Sequence, residues 1–394
     1  MFFKKVFKIA SKFREEFLLV KGAGCKSSTR QLIEVIQLLF RAQLTPGEYY
    51  FNRFFELDKD YSFMLNFLSN YHLANYYRPA LADGEWTPIT ENKLLFNRYY
   101  SSFGLPVNEL YGYYDSQNGI TTDGTPLTNI VQLKEFLLEL KPPTIVFKPV
   151  GGSKGQNILI FNSIHYGADD IVFTSNEGKD LTLSQVVLAM EKKVKGSSYQ
   201  GFVMEPKVEQ DQGISSLNSS SLNTIRVITI LNKANQASVL CAALRLGRKG
   251  VGVDNFSQGG LFVAINLTEG ILGKGFFGTK IRSDFYQLHP DTEVPFSGFK
   301  IPFWKEVYQL ACKAARVSPF CRSIGWDIAI TPEGPVILEG NDKHSVRMQA
   351  LYNGYLQPEV RHSLAEFSLE FPKGKLPRYN IRNIIKAIRI WAGK

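Results

Sequence analysis

The 394-residue sequence has little cysteine and histidine. Its cysteines form no CxxC pair, and its five histidines form no HExxH spacing. This usage favours reduced thiols over a disulfide framework or a zinc site, and it predicts no dedicated transition-metal centre. The four cysteines are Cys25, Cys241, Cys312 and Cys321.

Long apolar runs are also missing. No apolar stretch reaches the ~20 residues that span a bilayer, which argues against an integral membrane protein. The N-terminal stretch "MFFKKVFKIASKFREEF" places charge in every turn, so it has no uninterrupted signal-peptide core. We therefore expect a cytoplasmic protein.

Acidic residues are outnumbered, at 36 against 46 basic residues, which gives a net charge of +10. This excess favours anionic partners, although a solvated basic surface would look the same. No zinc-finger, helix-turn-helix or RNP-like signature accompanies it, so nucleic acid is not an expected partner.

The C-terminal stretch "NIRNIIKAIRIWAGK" (380–394) predicts a basic amphipathic helix. Its apolar side contains Ile381, Ile384, Ile385, Ile388 and Trp391. Two interpretations stay open for this segment. It rests on anionic lipid at the inner face of the membrane, or it docks on the protein's own body.

The order of patterns predicts an α+β fold with largely antiparallel sheets. The first ninety residues are helical in pattern and rich in aromatic residues that we expect in a core, and strand patterns dominate from about residue 144. We expect a helical N-terminal region (1–90), two subdomains (91–205 and 206–350) and a C-terminal tail (351–394).

The stretch "TIVFKPVGGSKGQNILIF" reads as strand, glycine loop and strand. Glycines let backbone N–H groups approach anionic oxygens, and Lys148 and Lys154 add positive charge beside them. A plain hairpin has the same pattern, so this loop alone does not decide for phosphate binding.

The stretch "GWDIAITPEGPVILEGN" (325–341) reads as a hairpin whose apolar strands contain polar residues. Counting across the turn places Asp327 opposite Glu339, and Asn341 shares a face with Glu339. We expect Val336 and Leu338 on the other, apolar face. Carboxylates that converge repel each other, and Mg²⁺ would relieve the repulsion, since it prefers such hard oxygen ligands.

A glycine-loop hairpin with a strand lysine, followed far downstream by Asp and then Glu-x-Asn, resembles the ATP-grasp superfamily. The residues within the individual motifs resemble its sugar-transfer-associated branch, which is linked to bacterial surface polysaccharide synthesis. The stretches "FKPVGGSKGQNILIF", "SLNTIRVIT", "AALRLG", "VDNFSQGGLFVAI" and "IGWDIAITPEGPVILEGN" occur in the family order. The resemblance implies an ATP-grasp fold of two subdomains.

The resemblance also implies roles for individual residues. Lys148 and Lys93 would contact ATP phosphate, and either Glu205 or Glu209 would contact the nucleoside. Arg226 and Arg245 would act near the γ-phosphate and the acyl intermediate. The phosphate loop would consist of Gly151, Gly152, Ser153, Lys154 and Gly155, and the magnesium ligands would be Asp327, Glu339 and Asn341. His344 is a weak candidate for substrate contact.

The function implied is an ATP- and Mg²⁺-dependent, ADP-forming carboxylate–amine ligase that joins an amino acid or similar group to a sugar. A ligase that builds a peptide or small metabolite is the alternative among enzymes. A non-catalytic basic protein that binds membrane or nucleic acid is the alternative of another class. Such a binder has no need for three oxygen ligands in register.

Overall fold

The computed structural model describes residues 20–152, 155–167, 170–195, 199, 201–248, 259–278 and 283–372. Ser153, Lys154 and the predicted C-terminal helix lie outside the described residues. In the part of the chain that the structure describes, no helix combines the length and the apolar character needed to cross a membrane.

The N-terminal part is helical, as expected. Helix α1 begins after Ser27, whose hydroxyl accepts a hydrogen bond from the backbone N of Arg30 at 3.3 Å. The helices of this part are α1 (Ser28–Arg41), α2 (Pro46–Phe51), α3 (Tyr61–Met64), α4 (Asn70–His72), α5 (Arg78–Leu81), α6 (Thr87–Glu91) and α7 (Lys93–Ser102), with a π-helix at Leu73–Tyr77 and a 3₁₀-helix at Gly84–Trp86.

The aromatic residues of this part form a core. Tyr49, Tyr50 and Phe54 are buried, and the rings of Phe54 and Phe67 meet edge to face at 4.7 Å. Edge-to-face ring pairs add stabilisation beyond the area they bury. The expectation that these aromatics belong to the core is confirmed.

Helix α1 turns three of its apolar residues outward. Leu32, Ile33 and Ile36 are exposed, whereas Glu34 is buried. The inward side is mixed, since Val35 and Leu38 are buried in the core, and Glu34 beside them accepts a hydrogen bond from Lys26 Nζ at 2.9 Å and another from the Tyr49 hydroxyl at 2.7 Å. A buried carboxylate needs such partners, and they fix the rotation of the helix.

The first sheet is antiparallel throughout its described pairs, in the order β2-β1-β7-β3-β4-β5-β6. Two helices, α8 (Ile130–Leu140) and α9 (Leu183–Val194), pack on it over a core that includes Leu137, Phe147 and Phe173. Its strands are β1 (Gly112–Tyr114), β2 (Ile120–Thr121), β3 (Ile145–Pro149), β4 (Leu159–Tyr166), β5 (Ile171–Ser175), β6 (Asp180–Thr182) and β7 (Phe202–Glu205).

The second sheet is also antiparallel throughout its described pairs, in the order β12-β11-β10-β9-β8-β13-β14. Its strands are β8 (Thr224–Leu231), β9 (Ala237–Leu246), β10 (Leu261–Ile265), β11 (Leu272–Gly278), β12 (Ser283–Tyr286), β13 (Ser323–Thr331) and β14 (Gly334–Asn341). The remaining helices are α10 (Gln212–Leu217), α11 (Trp304–Arg316) and α12 (Pro358–Ala365), with a 3₁₀-helix at Arg347–Leu351.

Apolar residues cover this second sheet on both faces. Helix α11 packs over a core that includes Val227 and Trp326, while Ile228 and Ile230 belong to a second core with Leu68 and other N-terminal residues. Because β13 lies between β8 and β14, eight of its nine residues are buried. The α+β class with antiparallel sheets is confirmed, and the bounds of the four predicted regions stay predictions.

Candidate functional site

A cavity of about 610 Å³ lies between the two sheets. This volume is in the range of small-molecule sites. The first sheet and its loops contribute Val146, Lys148, Gly151, Gly152, Gly155, Ile158 and Ile160; the second contributes Thr224, Arg245, Asp327, Leu338 and Glu339; helix α7 contributes Lys93; the segment after β7 contributes Pro206, Lys207, Val208, Glu209, Gln210, Ser215, Ser219, Ser220 and Ser221.

The hairpin β13–β14 forms one end of the cavity. Asp327 pairs with Glu339 across it, and Asn341 Nδ2 donates to Glu339 Oε1 at 3.1 Å. The predicted pairing of Asp327 with Glu339 is therefore confirmed, and Asn341 lies beside Glu339. The turn that joins the strands is Pro332 and Glu333, as the "TPEG" stretch indicated.

The expectation for the opposite face is wrong. A bulge makes Ile328 pair with Ile337, which leaves Leu338 as an extra residue on β14. Ile337 is the buried residue, while Val336 is only half-buried and Leu338 lines the cavity beside Glu339. An extra residue rotates the following side chains, and no sequence pattern indicates it here.

Two arginines hold Asp327. Arg226 donates from Nε to Oδ1 at 2.5 Å and from Nη2 to Oδ2 at 2.8 Å, and Arg245 Nη1 donates to Oδ2 at 2.8 Å. Burial alone raises the pKa of the Asp327 carboxyl, but the two guanidinium charges outweigh it and hold that pKa well below its ordinary value. Asp327 is therefore ionised and bound on both oxygens.

The pKa of Glu339 is shifted in the opposite direction from that of Asp327. Burial raises the pKa of its carboxyl, and the charge of Asp327 raises it further, while Lys93 and Arg226 oppose the shift. Two carboxylates and a carboxamide are residue types whose oxygens Mg²⁺ takes together with water and phosphate oxygens. No group of three or more His, Cys, Asp or Glu side chains forms a metal site among the described residues.

Lys148 is held at the cavity wall by a buried carboxylate. Its Nζ donates to Glu205 Oε2 at 2.5 Å, and Asn108 Nδ2 donates to the same oxygen at 2.7 Å. Glu205 is 5% exposed and accepts both bonds on Oε2, whereas Glu209 is exposed and lines the cavity. Of the two acids, Glu209 is the one open to a ligand.

Lys93 lies at the start of α7 beside the glycine loop. Its Nζ donates to the Gly152 carbonyl oxygen at 3.1 Å, and its backbone N donates to the Val150 carbonyl oxygen at 2.8 Å. Burial lowers the pKa of the Lys93 ammonium; the charge of Glu339 opposes the shift and the charge of Lys148 adds to it. Two lysines from different elements thus face the same space.

The glycine loop needs glycine for steric reasons. Gly152 has φ +106°, a conformation that side chains disfavour. A Cβ on Gly151 would lie 2.9 Å from Cδ1 of Tyr199, so this ring packs directly under the loop. Gly155 (φ +67°) completes the described part of the loop.

His344 does not line the cavity. It is 2% exposed, and its Nε2 lies 2.9 Å from the Ser323 hydroxyl. Burial, together with the nearby charges of Arg78 and Arg226, lowers the pKa of the imidazole to about 3. The weak expectation of a substrate contact is not supported by this geometry, and His344 is a neutral buried residue.

We expect His344 to make the protein less stable as pH falls. The folded pKa is about 3 and the unfolded value is about 6.5, so the unfolded chain binds the extra proton in between. The free energy of unfolding that the neutral His344 contributes is fully present above about pH 6.5. It decreases below that pH, by on the order of 2 kcal/mol between about pH 7 and pH 5.

Urea unfolding of the wild type and His344→Gln at both pH values measures this contribution. The difference between the two proteins should shrink as pH falls, because the variant lacks the titrating group. An equal pH response in both would contradict the assignment.

Sequence reasoning did not find Asn108 and Tyr199, which support Lys148 and the loop. Both are single residues far along the chain from their partners, so no local pattern indicates them. The serine-rich stretch 214–223 supplies hydroxyls to the site, since Ser215 and Ser219 to Ser221 line the cavity.

A family model described as sugar-transfer associated ATP-grasp matches residues 72–363. The chain belongs to this family. The match covers both sheets and the whole cavity, so the ATP-grasp fold expected from the sequence is confirmed. None of the curated proteins matches the sequence.

Solved structures of ATP-grasp enzymes are similar in fold to this chain at low sequence identity. Biotin carboxylase from Campylobacter jejuni is 11% identical with a TM-score of 0.43, and the match covers 75% of this chain and 50% of that one. The biotin carboxylase domain of Hydrogenobacter thermophilus 2-oxoglutarate carboxylase is 13% identical with a TM-score of 0.41, covering 80% and 53%. D-alanine–D-alanine ligase from Coxiella burnetii is 12% identical with a TM-score of 0.39, covering 79% and 64%. This chain thus spans about half the length of the first two structures.

Proposed function

We propose that this ATP-grasp chain is an ATP- and Mg²⁺-dependent carboxylate–amine ligase that forms ADP through an acyl phosphate. One observation supports the proposal above all. The same cavity has lysines and an arginine on its wall (Lys93, Lys148 and Arg245) and a carboxylate pair at its end (Asp327 and Glu339). Phosphoryl transfer needs this combination of positive charge and metal-binding oxygens.

The nucleotide would lie between the sheets. Val146, Ile160 and Leu338 give the cavity an apolar wall that suits a flat base. The segment after β7 places Lys207 and Glu209 at the rim, where Glu209 can accept hydrogen bonds from a ribose. The glycine loop, which in sequence includes Ser153 and Lys154, would cover the phosphates.

Asp327, Glu339 and Asn341 would hold Mg²⁺. The cation, when bound, would neutralise phosphate charge and relieve the repulsion between the two carboxylates. Arg226 and Arg245 already lie against Asp327, so both guanidiniums can turn to phosphate or acyl oxygens without travelling far. Lys148 and Lys93 add charge on the opposite wall.

The reaction would proceed in two balanced steps. A substrate carboxylate oxygen attacks the γ-phosphorus of ATP, the bond to the β,γ-bridging oxygen breaks, and ADP leaves. The amine nitrogen then attacks the acyl carbon, the carbon–oxygen bond breaks, and phosphate leaves with the proton that nitrogen loses. Arg226 and Arg245 would stabilise the oxyanion between these events.

The acceptor side of the cavity is polar. Ser215, Ser219 and Ser220 supply hydroxyls, which suit a sugar that carries an amine or a carboxylate. We propose that the enzyme joins an amino acid or similar group to such a sugar in bacterial surface polysaccharide synthesis. The setting would be the cytoplasm, with peripheral contact to the inner face of the membrane through residues 380–394.

The test is ADP release with Mg²⁺ and a panel of amino acids combined with amino sugars and uronic acids. We expect ADP only when a carboxylate and an amine are both present, with product mass equal to their sum minus water. Turnover with dipeptide partners and not with sugars would select the peptide or small-metabolite ligase. ATP binding without turnover on any pair would contradict the ligase and favour a non-catalytic binding protein.

A further inference from the structure

Residues 218–222, here called the serine segment, pack against the backbone that continues from β9. A Cβ on Gly247 would lie 2.3 Å from Ser221 Oγ, so this hydroxyl lies directly on that backbone. Gly247 follows Arg245 by two residues, and Arg245 donates to Asp327 at the end of the cavity. The serines of this segment that line the cavity are Ser219, Ser220 and Ser221. The serine segment therefore borders the arginine that reaches the proposed metal site.

Backbone groups fix the orientation of the buried Asn223 amide. Its Oδ1 accepts a hydrogen bond from the backbone N of Gly247 at 3.3 Å, and its Nδ2 donates to the carbonyl oxygen of Asn218 at 2.6 Å. A backbone N–H only donates and a carbonyl oxygen only accepts, so the oxygen and nitrogen of this amide have fixed places. The direction of the bonds around Asn223 follows from these two contacts.

The Asn218 amide is fixed in the same way. Its Nδ2 donates to Asn223 Oδ1 at 3.1 Å, and its Oδ1 accepts from the backbone N of Ser220 at 3.3 Å. The two contacts agree on the same orientation. Asn218 is 4% exposed, so its amide is held inside the protein with its oxygen toward Ser220.

The Ser220 hydroxyl has its hydrogen committed to this amide. Ser220 Oγ lies 2.8 Å from Asn218 Oδ1, and because the amide oxygen has no hydrogen, the hydroxyl must be the donor. A hydroxyl has one hydrogen and two lone pairs. Ser220 is exposed and lines the cavity, so it offers a ligand an oxygen that accepts hydrogen bonds.

Ser221 is held at the other end of the same amide. Its Oγ accepts from Asn218 Nδ2 at 3.3 Å and donates to Asn223 Oδ1 at 3.4 Å. These bonds are longer and weaker than the bond of Ser220, but they direct the hydroxyl hydrogen into the protein as well. Ser220 and Ser221 therefore both present acceptor oxygens on the cavity side.

Ser215 shows that this direction is not general for the serines of the cavity. Gln210 Oε1 accepts from the backbone N of Asn223 at 2.5 Å, which leaves Gln210 Nε2 to donate to Ser215 Oγ at 3.0 Å. Ser215 thus accepts a bond from the protein and keeps its own hydrogen for a ligand. The acceptor character is a property of Ser220 and Ser221.

We propose, on the basis of the proposed ligase function, that Ser220 and Ser221 bind the amine of an amino sugar. The sugar is then the nucleophile, and the amino acid or similar group supplies the carboxylate. A neutral primary amine has two N–H groups for the two oxygens and keeps its nitrogen lone pair for the acyl carbon. A carboxylate has no hydrogen to donate, so it would meet only oxygen lone pairs at these two hydroxyls.

The experiment is calorimetric titration of the full-length protein, with ADP and Mg²⁺ present, against three matched sugars: D-glucosamine, D-glucose and D-glucuronate. We expect D-glucosamine to bind at least about tenfold more tightly than the other two, because each of them lacks the amine that the oxygens accept from. The variant S220A/S221A should bind D-glucosamine at least about tenfold more weakly. Its affinity for D-glucose should change by less than about threefold.

Asn218→Ala tests the direction of the bonds. The substitution releases the hydroxyl hydrogens, so the ratio of D-glucosamine to D-glucuronate affinity should fall at least about tenfold. A loss of structure alone would weaken both ligands equally. Ser216→Ala is the matched control, because Ser216 Oγ donates to the Gly213 carbonyl oxygen at 2.6 Å and lies outside the cavity lining. It should bind all three sugars as the wild type does.

Equal binding of D-glucosamine and D-glucuronate, no binding of D-glucosamine, or unchanged binding by S220A/S221A would each overturn the proposal. ADP release with uronic acids and amines, but not with amino sugars, would also overturn it and would leave the ligase standing. Binding of D-glucosamine that depends on Ser220 and Ser221, without ADP release on any pair, would support the amine site and contradict the ligase.

Discussion

Glu339→Gln is expected to lower ATP turnover at least about a hundredfold while the fold stays intact. The substitution removes one charged ligand from the proposed metal site. Metal stabilisation of phosphoryl charge contributes several kcal/mol, and a hundredfold change in rate corresponds to about 2.7 kcal/mol. Burial and the Asp327 charge raise the pKa of Glu339. A neutral amide there removes a repulsion, so we expect no loss of stability.

The measurement is ADP release at saturating ATP, with the Mg²⁺ concentration varied. Glu333→Gln is the matched control, because Glu333 lies in the turn of the same hairpin, is exposed and is outside the cavity. Asn341→Ala should also reduce turnover, since Asn341 is bonded to Glu339. Near-normal activity in the Glu339 variant would show that the metal assignment is wrong.

Asp327→Asn is expected to destabilise the fold by on the order of 3 kcal/mol. The carboxylate is 3% exposed and bonds Arg226 and Arg245, which lie on two neighbouring strands of the same sheet. Removing one member of a buried charge group leaves the other charges desolvated with weaker partners. Urea unfolding near pH 7 measures the difference.

Asp291→Asn provides the comparison. Its ion pair with Arg248 at 2.7 Å is more exposed, with 29% of the Arg248 side-chain surface and 19% of the Asp291 side-chain surface open, so we expect a loss below about 1 kcal/mol. Equal losses in the two variants would contradict the view that burial sets the cost. Because Asp327 is needed for stability, its variant does not isolate the metal site, and Glu339→Gln is the decisive substitution.

Local alternation and ordered motifs are the features of the sequence that predict most. The hairpin register is predictable because strand side chains alternate strictly and a short turn fixes the count. A strict count from the closing pair Thr331–Gly334 would place Asp327 opposite Leu338, and it is the bulge that lets Asp327 pair with Glu339 as predicted. The bulge adds Leu338 without any mark in the composition, so alternation alone does not encode the pairing of the two carboxylates.

Helix α1 shows a second limit. Its apolar spacing predicts a helix, and the helix exists from Ser28 to Arg41. Val35 and Leu38 do face the core, but Glu34 lies on the same side, bonded to Lys26 and Tyr49. Other apolar residues of the helix, Leu32, Ile33 and Ile36, are exposed. Periodicity identifies a helix and its apolar side, but it does not say which neighbour, if any, covers that side.

The sequence by itself determined the α+β class and the family, and it named the residues that we propose bind phosphate and magnesium, because each depends on short-range spacing. Only the tertiary structure decided that Glu205 is used to hold Lys148, that Glu209 stays open, and that two arginines bind Asp327. Lys148 and Glu205 are 57 residues apart in the chain, and Arg226 and Asp327 are 101 apart. Contacts across such separations depend on how whole sheets pack, which local spacing does not encode.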